Sequence, residues 1–368
     1  MSRHVEIVGG GFAGLVAATA FAQRGWSVRL HERGPQVRAF GAGIFIWQNG
    51  IHVMRLIGAY DDMMRNAHEA PRYYARDAEG RLLGTDTFGS QIGCRMLTMT
   101  RETLHSAIYA AARRSGVEVR LNSNVVSADP SGEVRTEDGG VFRAELVVGA
   151  DGVNSNVRDS LGLMDYREKT GFGGMRLLIA REPTDSEHIQ SFRSTGTRMT
   201  HYVPCDPENI YLCFTTSADD APGCALPFDK KSWGETFPRL RALYSRIGDQ
   251  GRWDHYETIK LKAWSKGRVA IIGDAAHAMT PSLGQGAGCS MVNALSLAVA
   301  ASAGPLTEAT LARWERDERP LTEHTQDYAQ STTQRGPILG SSGTKWTDDA
   351  LRAARHVPAA ALDVAGAA

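Results

Sequence analysis

The feature that most restricts this chain is a turn. Val5 to Val8 is a short β-rich run, and it stops at Gly9-Gly10-Gly11. A small-residue helical pattern follows, LVAATAFAQRG, with Gly25 as its expected C-cap; WSVRLHER then reads as a second strand. Strand, Gly9-x-Gly11-x-x-Gly14, helix and strand within about 30 residues make one parallel βαβ unit. The spacing has a mechanism. Gly9 permits the tight turn, Gly11 lets backbone approach a pyrophosphate, and Gly14 lets helix and strand pack closely. The helix N-terminus offers free N–H groups and a positive dipole end to the phosphates. Glu32, 18 residues beyond Gly14, stands where an acid accepts hydrogen bonds from a ribose. That acid favours FAD or NAD over NADP, whose extra phosphate a carboxylate would repel. The glycine pattern alone is weak evidence: a glycine-rich turn of another α/β protein, with Glu32 merely solvated, reads the same.

The rest of the chain gives this unit its setting. With 368 residues there is room for two domains or one interleaved unit. Residues 101–115 are helical in pattern, 117–130 read as strand or hairpin, and 132–152 as a further hairpin and strand. Between 171 and 217 the segments become short and alternating (GMRLLIARE, TRMTHYVPC, NIYLCFTTS), which suits an antiparallel sheet with one exposed face. From 265 the α/β pattern returns, and helices dominate thereafter. The expected architecture is α/β: a Rossmann-like nucleotide domain from 1–70, 98–165 and 265–368, carrying an inserted β-sheet domain from 71–97 and 166–264.

Two later stretches match the first in kind: VVGADGVNSNVR (147–158) and GRVAIIGDAAHAMTPSLGQGAG (267–288). Together with GGGFAGL and Arg101 opening a helix, they resemble, in order and distance, the class A FAD-dependent aromatic hydroxylases, the p-hydroxybenzoate hydroxylase-like fold. A closer resemblance is to the 2-methyl-3-hydroxypyridine-5-carboxylate oxygenases. It is carried by VRAFGAGIFIWQNG (37–50), YETIKLKAWSKGRVAIIGDAAHAM (256–279) and QGAGCSMVNALSL (285–297). The resemblance implies FAD as cofactor, NAD(P)H as reductant, and O2 and a small aromatic acid as substrates. It implies that Asp274 holds the ribityl chain and that Gly284, Gly286, Ala287 and Gly288 lie against the flavin ring. A helix starting near Gly288 would aim its dipole at the flavin. By the same matching, Gly9, Gly11, Phe12, Ala13, Gly14, Glu32, Arg33, Arg38, Arg101, Val125 and Asp151 are candidate FAD contacts. Arg158 lies in the segment the family uses near the pyrophosphate and nicotinamide.

In that family NAD(P)H reduces FAD, O2 adds at the flavin C4a position, and the resulting hydroperoxide hydroxylates an electron-rich ring. Water must be excluded, and the protein orients the substrate. Arg176, Arg198, Tyr202 and Tyr211 on strands of the insert, with Tyr256, are the candidate substrate contacts; an arginine pairs well with a carboxylate. Arg176, Tyr211 and Pro281 are the candidate catalytic residues. The second substrate arginine of the pyridine oxygenases is not matched: Met199 stands there, with Arg198 one place away, and one residue on a strand flips the face. His277 is expected to be structural.

Formal charge is zero, which gives no footprint for nucleic acid or an anionic membrane. There is no apolar run of about 18 residues and no signal-peptide pattern. Five scattered cysteines without a CxxC argue against a disulfide framework or zinc. A cytoplasmic location is expected, and oligomeric state, including a homo-oligomer, is open. So are NADH versus NADPH and ring cleavage after hydroxylation. The rival readings are a hydroxylase of a benzenoid phenol or aminobenzoate, and, from another class, a non-catalytic flavin-binding redox sensor.

Overall fold

The computed structural model describes residues 3–38, 42–89, 92–249, 251–335 and 345–356. Part of the 37–50 resemblance (39–41) lies outside them. The first half of the chain runs β1 (His4–Val8), α1 (Phe12–Ala22), β2 (Ser27–His31), β3 (Gly43–Trp47), α2 (Gln48–Leu56), α3 (Tyr60–Met64), β4 (Arg72–Asp77), β5 (Leu82–Thr87), β6 (Met96–Thr100) and α4 (Arg101–Arg114). Then come β7 (Glu118–Arg120), β8 (Val125–Asp129), β9 (Glu133–Thr136), β10 (Val141–Arg143), β11 (Leu146–Gly149) and α5 (Asn156–Ser160). The insert holds β12 (Met164–Ala180), β13 (Ile189–Arg193), β14 (Met199–Pro204), β15 (Asn209–Ser217), α6 (Lys230–Thr236), α7 (Arg241–Ser245) and β16 (Trp253–Leu261). The chain closes with β17 (Ser265–Lys266), β18 (Val269–Ile271), α8 (Asp274–His277), α9 (Gly286–Ser302), α10 (Glu308–Arg335) and α11 (Asp348–Leu351).

The expected βαβ unit forms. β1 pairs in parallel with β2 on one side and β11 on the other, in a six-stranded sheet ordered β17-β18-β11-β1-β2-β7. Strand β1 is buried on both faces, as a central parallel strand must be. Helix α1 is buried all round, because Ala and Gly let it lie close to the sheet and to α9. Residues 118–120 join this parallel sheet at its edge rather than turning back as a hairpin. β9 and β10 do form the expected hairpin, in a small separate sheet with β8.

The insert differs from expectation in two ways. Its segments are not all short: β12 runs 17 residues and pairs with β15 and β16 at once. Nor is its sheet purely antiparallel with one open face. The order is β16-β12-β15-β14-β13-β4-β5, and β13 runs parallel to β4, which arrives from the first half of the chain. One face buries Leu177, Ile210, Leu212 and Phe214 against Trp233, Phe237 and Tyr244 of the α6–α7 region. The other carries Tyr211, Cys213 and Val203 toward Trp47 and Trp346.

Candidate active site

Three distant glycine motifs meet at the ends of the parallel strands. Gly9 has φ of +105°, and a Cβ there would stand 2.4 Å from the Ala150 carbonyl oxygen. A Cβ on Gly14 would stand against the Gly9 carbonyl, and one on Gly273 at 2.9 Å from the Cβ of Ala13. Each glycine is therefore required by a close approach rather than by loop flexibility. Arg158 stitches the second motif to the third: its Nη1 donates to the carbonyls of Val153 and Ala275, at 3.0 and 3.2 Å. Fully buried there, Arg158 is a tie between segments. Asp151 has a similar local duty, accepting from Ser155 Oγ and the Val157 N–H at 2.5 and 3.2 Å, while burial pushes its carboxyl up.

The first turn keeps its phosphate-binding form. Gly11 is the N-cap of α1, contributes no side-chain cap, and has no atom within 4 Å of where a Cβ would stand. The N-terminus of α1 is thus uncovered at Gly11, leaving its first-turn N–H groups without a side-chain cap. Glu32 follows β2, and its two oxygens accept from the N–H groups of Gly10 and Gly34, at 2.9 and 2.8 Å. His105, not anticipated from sequence, bonds the Gly10 carbonyl at 2.8 Å and packs edge-on against Phe12. Val125 is buried; Arg33 and Arg38 are exposed after β2.

At the other end of the cleft stands a group of charges. Asp274 opens α8 behind Gly273, whose φ is +65°. Its side chain is exposed to water, although protein crowds around it. Burial raises its carboxyl, and Arg101 and Arg176 act against that rise. No protein donor bonds the Asp274 carboxylate among the described residues. Arg101 opens α4, its guanidinium 4.9 Å from the Phe12 ring, and its Nε is buried without a partner. Burial lowers Arg101, which Asp274 partly offsets. Arg176, on β12, lies 5.5 Å from the Tyr256 ring. Burial opposes its charge, and the polar groups of Tyr256, Tyr211 and Cys213 and the more distant Asp254 act the other way, so the guanidinium stays charged. Tyr211 and Tyr256 are pushed up by burial and stay neutral.

Glycine sets the positions of both tyrosines. A Cβ on Gly43 would stand 2.3 Å from the Tyr211 ring, and one on Gly174 would meet the Tyr256 hydroxyl. That hydroxyl also bonds Thr215 Oγ1 at 2.9 Å. Pro281 starts a short 3-10 turn that ends at Gly284 in the left-handed region, φ +62°, against Phe45. Helix α9 begins at Gly286, two residues before the expected start, with no side-chain cap. Gly286, Ala287 and Gly288 therefore form its first turn.

Arg198 and Tyr202 are not part of this group. Arg198 grips Asp220 with two hydrogen bonds, at 2.6 and 2.8 Å, and lies over the Trp233 ring. Tyr202 is buried among Leu212 and Phe214, its hydroxyl donating to the Ser186 carbonyl at 3.1 Å. Tyr202 lies on the face of β14 turned away from the cleft, and Arg198, the residue before that strand, points the same way. A cavity of about 650 Å³ lined by Asp62, Arg65, Glu102 and Asp206 also lies apart from these charges.

The residues fit FAD: an open helix N-terminus with Glu32 at one end, and a carboxylate without a protein donor, an orphaned arginine Nε and an uncapped helix at the other. The model of the FAD binding domain family matches residues 2–326. The fold is shared with the tetrameric form of 2-methyl-3-hydroxypyridine-5-carboxylic acid oxygenase, at 39% identity and TM-score 0.91 over 98% of both chains. This chain belongs to the FAD-dependent aromatic monooxygenases. Two further relatives widen the comparison. The 2-heptyl-3-hydroxy-4(1H)-quinolone synthase of Mycobacteroides abscessus is 40% identical, covering 92% of this chain and 91% of that protein. The 6-hydroxynicotinate 3-monooxygenase of Bordetella bronchiseptica is 29% identical, covering 80% and 81%. Like them, this monooxygenase uses FAD, with NAD(P)H as the reductant usual for the class. Among the described residues, no helix is long and apolar enough to cross a membrane, and no His, Cys, Asp and Glu group could hold a metal.

Proposed function

We propose that this monooxygenase hydroxylates a small electron-rich aromatic acid, a hydroxypyridine carboxylate, in the cytoplasm. The observation that carries this reading is Arg176: a guanidinium surrounded by protein, with no carboxylate in ion-pair range among the described residues, beside Tyr211 and Tyr256. A buried cation without an acid is costly unless a ligand supplies the anion. Bound FAD, reduced by NAD(P)H, activates O2 and supplies the oxygen atom. The protein's own work is to hold and orient. Asp274 and Arg101 would hold the flavin, with the first turns of α1 and α9 at its two ends. Glu32 would take the ribose. Arg176 would hold an ionised ring oxygen or a carboxylate, and the Tyr211 hydroxyl would bond a ring substituent. Neutral Tyr211 and Tyr256 can donate hydrogen bonds without adding a competing negative charge.

The reading is tested by incubating FAD-loaded protein with NADH or NADPH and isotopically labelled O2. The aromatics offered are 2-methyl-3-hydroxypyridine-5-carboxylate, 6-hydroxynicotinate and 2-heptyl-4(1H)-quinolone. Label in the product of a pyridine acid supports the reading, and product mass tells ring opening from simple hydroxylation. Label only in the quinolone product overturns it.

A further inference from the structure

The cleft face of the seven-stranded sheet continues beyond Arg176. A cross-strand row runs Arg176 (β12), Cys213 (β15), His201 (β14) and Ser191 (β13). In the next row Thr215 is followed by Met199 and Arg193. Arg176 and Arg193 are thus three strand spacings and two residues apart, about 16 Å between backbones. Their long side chains can close on one aromatic ring between them.

Arg193 is half-buried and has no carboxylate in ion-pair range among the described residues; its guanidinium touches Met199 Sδ at 3.9 Å. Lys345 is 8% exposed, its ammonium 4.5 Å from the Trp346 ring and 5.2 Å from Tyr73; its backbone N–H donates to Asp86 at 3.4 Å, and burial, then Arg193, pushes the ammonium down to about 7 against the pull of Asp86. His201 is surrounded by protein yet reached by water, so it borders the cleft, and no hydrogen-bond partner meets its ring among the described residues. Burial first, then Lys345 and Arg193, keep that imidazole neutral. Two basic groups thus share this sheet face, and only Lys345 has an acid close by, the buried Asp86. Arg193, without one, calls for an anion from outside. A neutral alkyl chain there would bury its charge against hydrocarbon.

We propose that Arg193, with Lys345 and His201, forms the far end of the substrate cavity and takes a carboxylate of the substrate, while Arg176, Tyr211 and Tyr256 hold the end nearer the flavin. Arg193 thereby supplies from β13 the cation that Met199 cannot supply from β14. The inference rests on the aromatic-acid reading and deepens it, making Arg193 the residue that selects a ring acid over an alkylquinolone.

The test titrates FAD-loaded protein by flavin absorbance with 2-methyl-3-hydroxypyridine-5-carboxylate and with 2-methyl-3-hydroxypyridine, which lacks only the carboxylate. Wild type is expected to bind the acid about 30-fold more tightly, as a charge-assisted bond allows. Arg193→Met is expected to bring the two within about threefold by weakening the acid alone, with Arg193→Lys intermediate. Lys345→Met, a separate variant should Arg193→Met fold poorly, is expected to narrow the same ratio. Equal weakening of both ligands, an unchanged ratio in both Met variants, or no preference for the acid in wild type overturns the inference. If the neutral analogue stimulates NADH-driven flavin reduction as well as the acid does, this subsite fails and the aromatic hydroxylase stands. If neither ligand binds, both fail.

Discussion

Arg193 Nη2 lies 3.9 Å from the sulfur of Met199, its cross-strand partner, on the same sheet face as Arg176. The position read as a lost arginine is thus covered by an arginine from the next strand. Arg198, the residue just before β14, points the other way and is held by Asp220.

Arg198→Met should therefore leave binding of an aromatic acid unchanged within about twofold. It should lower stability by about 2 kcal/mol, from the lost charge-assisted bonds to Asp220. Urea denaturation beside a flavin-absorbance titration checks both halves.

Arg101→Met should weaken FAD about 10- to 100-fold, measured by flavin fluorescence on release. The apoprotein should not lose stability, since its buried Nε has no partner to lose. A destabilised apoprotein with intact FAD affinity would assign Arg101 a purely structural role.

Gly43→Ala places a methyl 2.3 Å from the Tyr211 ring. About 1–3 kcal/mol of destabilisation is expected. The kcat/KM for the aromatic substrate should fall while FAD stays bound, because Tyr211 moves and the flavin contacts do not.

How much of this was readable from residues alone follows from the same geometry. Gly9, Gly14, Gly273 and Gly284 announce themselves, because a left-handed φ or a close approach admits no side chain. Asp274 and Arg101 could be placed only through the family resemblance, and the structure then sets each at the opening of a helix. The substrate face could not be read, because strand parity means nothing until each strand's partner and register are known. In TRMTHYVP the alternation separates Met199, His201 and Val203 from Arg198, Thr200 and Tyr202, but not which set faces the flavin. His201 and Arg193 were missed for that reason. Lys345 was missed because it comes from a distant segment that folds back onto β4.

His277 gives a pH signature. Its Nε2 meets Asn293 at 3.1 Å, its Nδ1 is orphaned, and burial pushes the imidazole down to about 4. The unfolded chain takes up this proton near pH 6.5, the folded chain near 4. Stability from a neutral His277 is therefore complete above 6.5 and lost as pH falls toward 4, by about 3 kcal/mol. Glu318, pushed up to about 7 by burial, has the opposite sense, losing stability as pH rises from 4.5 to 7. The comparison is therefore wild type against His277→Gln, whose stability difference should shift by about 3 kcal/mol between pH 7 and 4.

The central claim, that an aromatic acid in the Arg176 end of the cleft governs a flavin monooxygenase, is tested most directly by anaerobic stopped-flow of the FAD-loaded protein. Flavin reduction by NADH or NADPH is followed with and without 2-methyl-3-hydroxypyridine-5-carboxylate, in wild type and Arg176→Met. The acid should speed reduction by orders of magnitude in wild type and have little effect in the variant. Reduction that is indifferent to the acid in wild type, or equally stimulated in both proteins, would contradict the account.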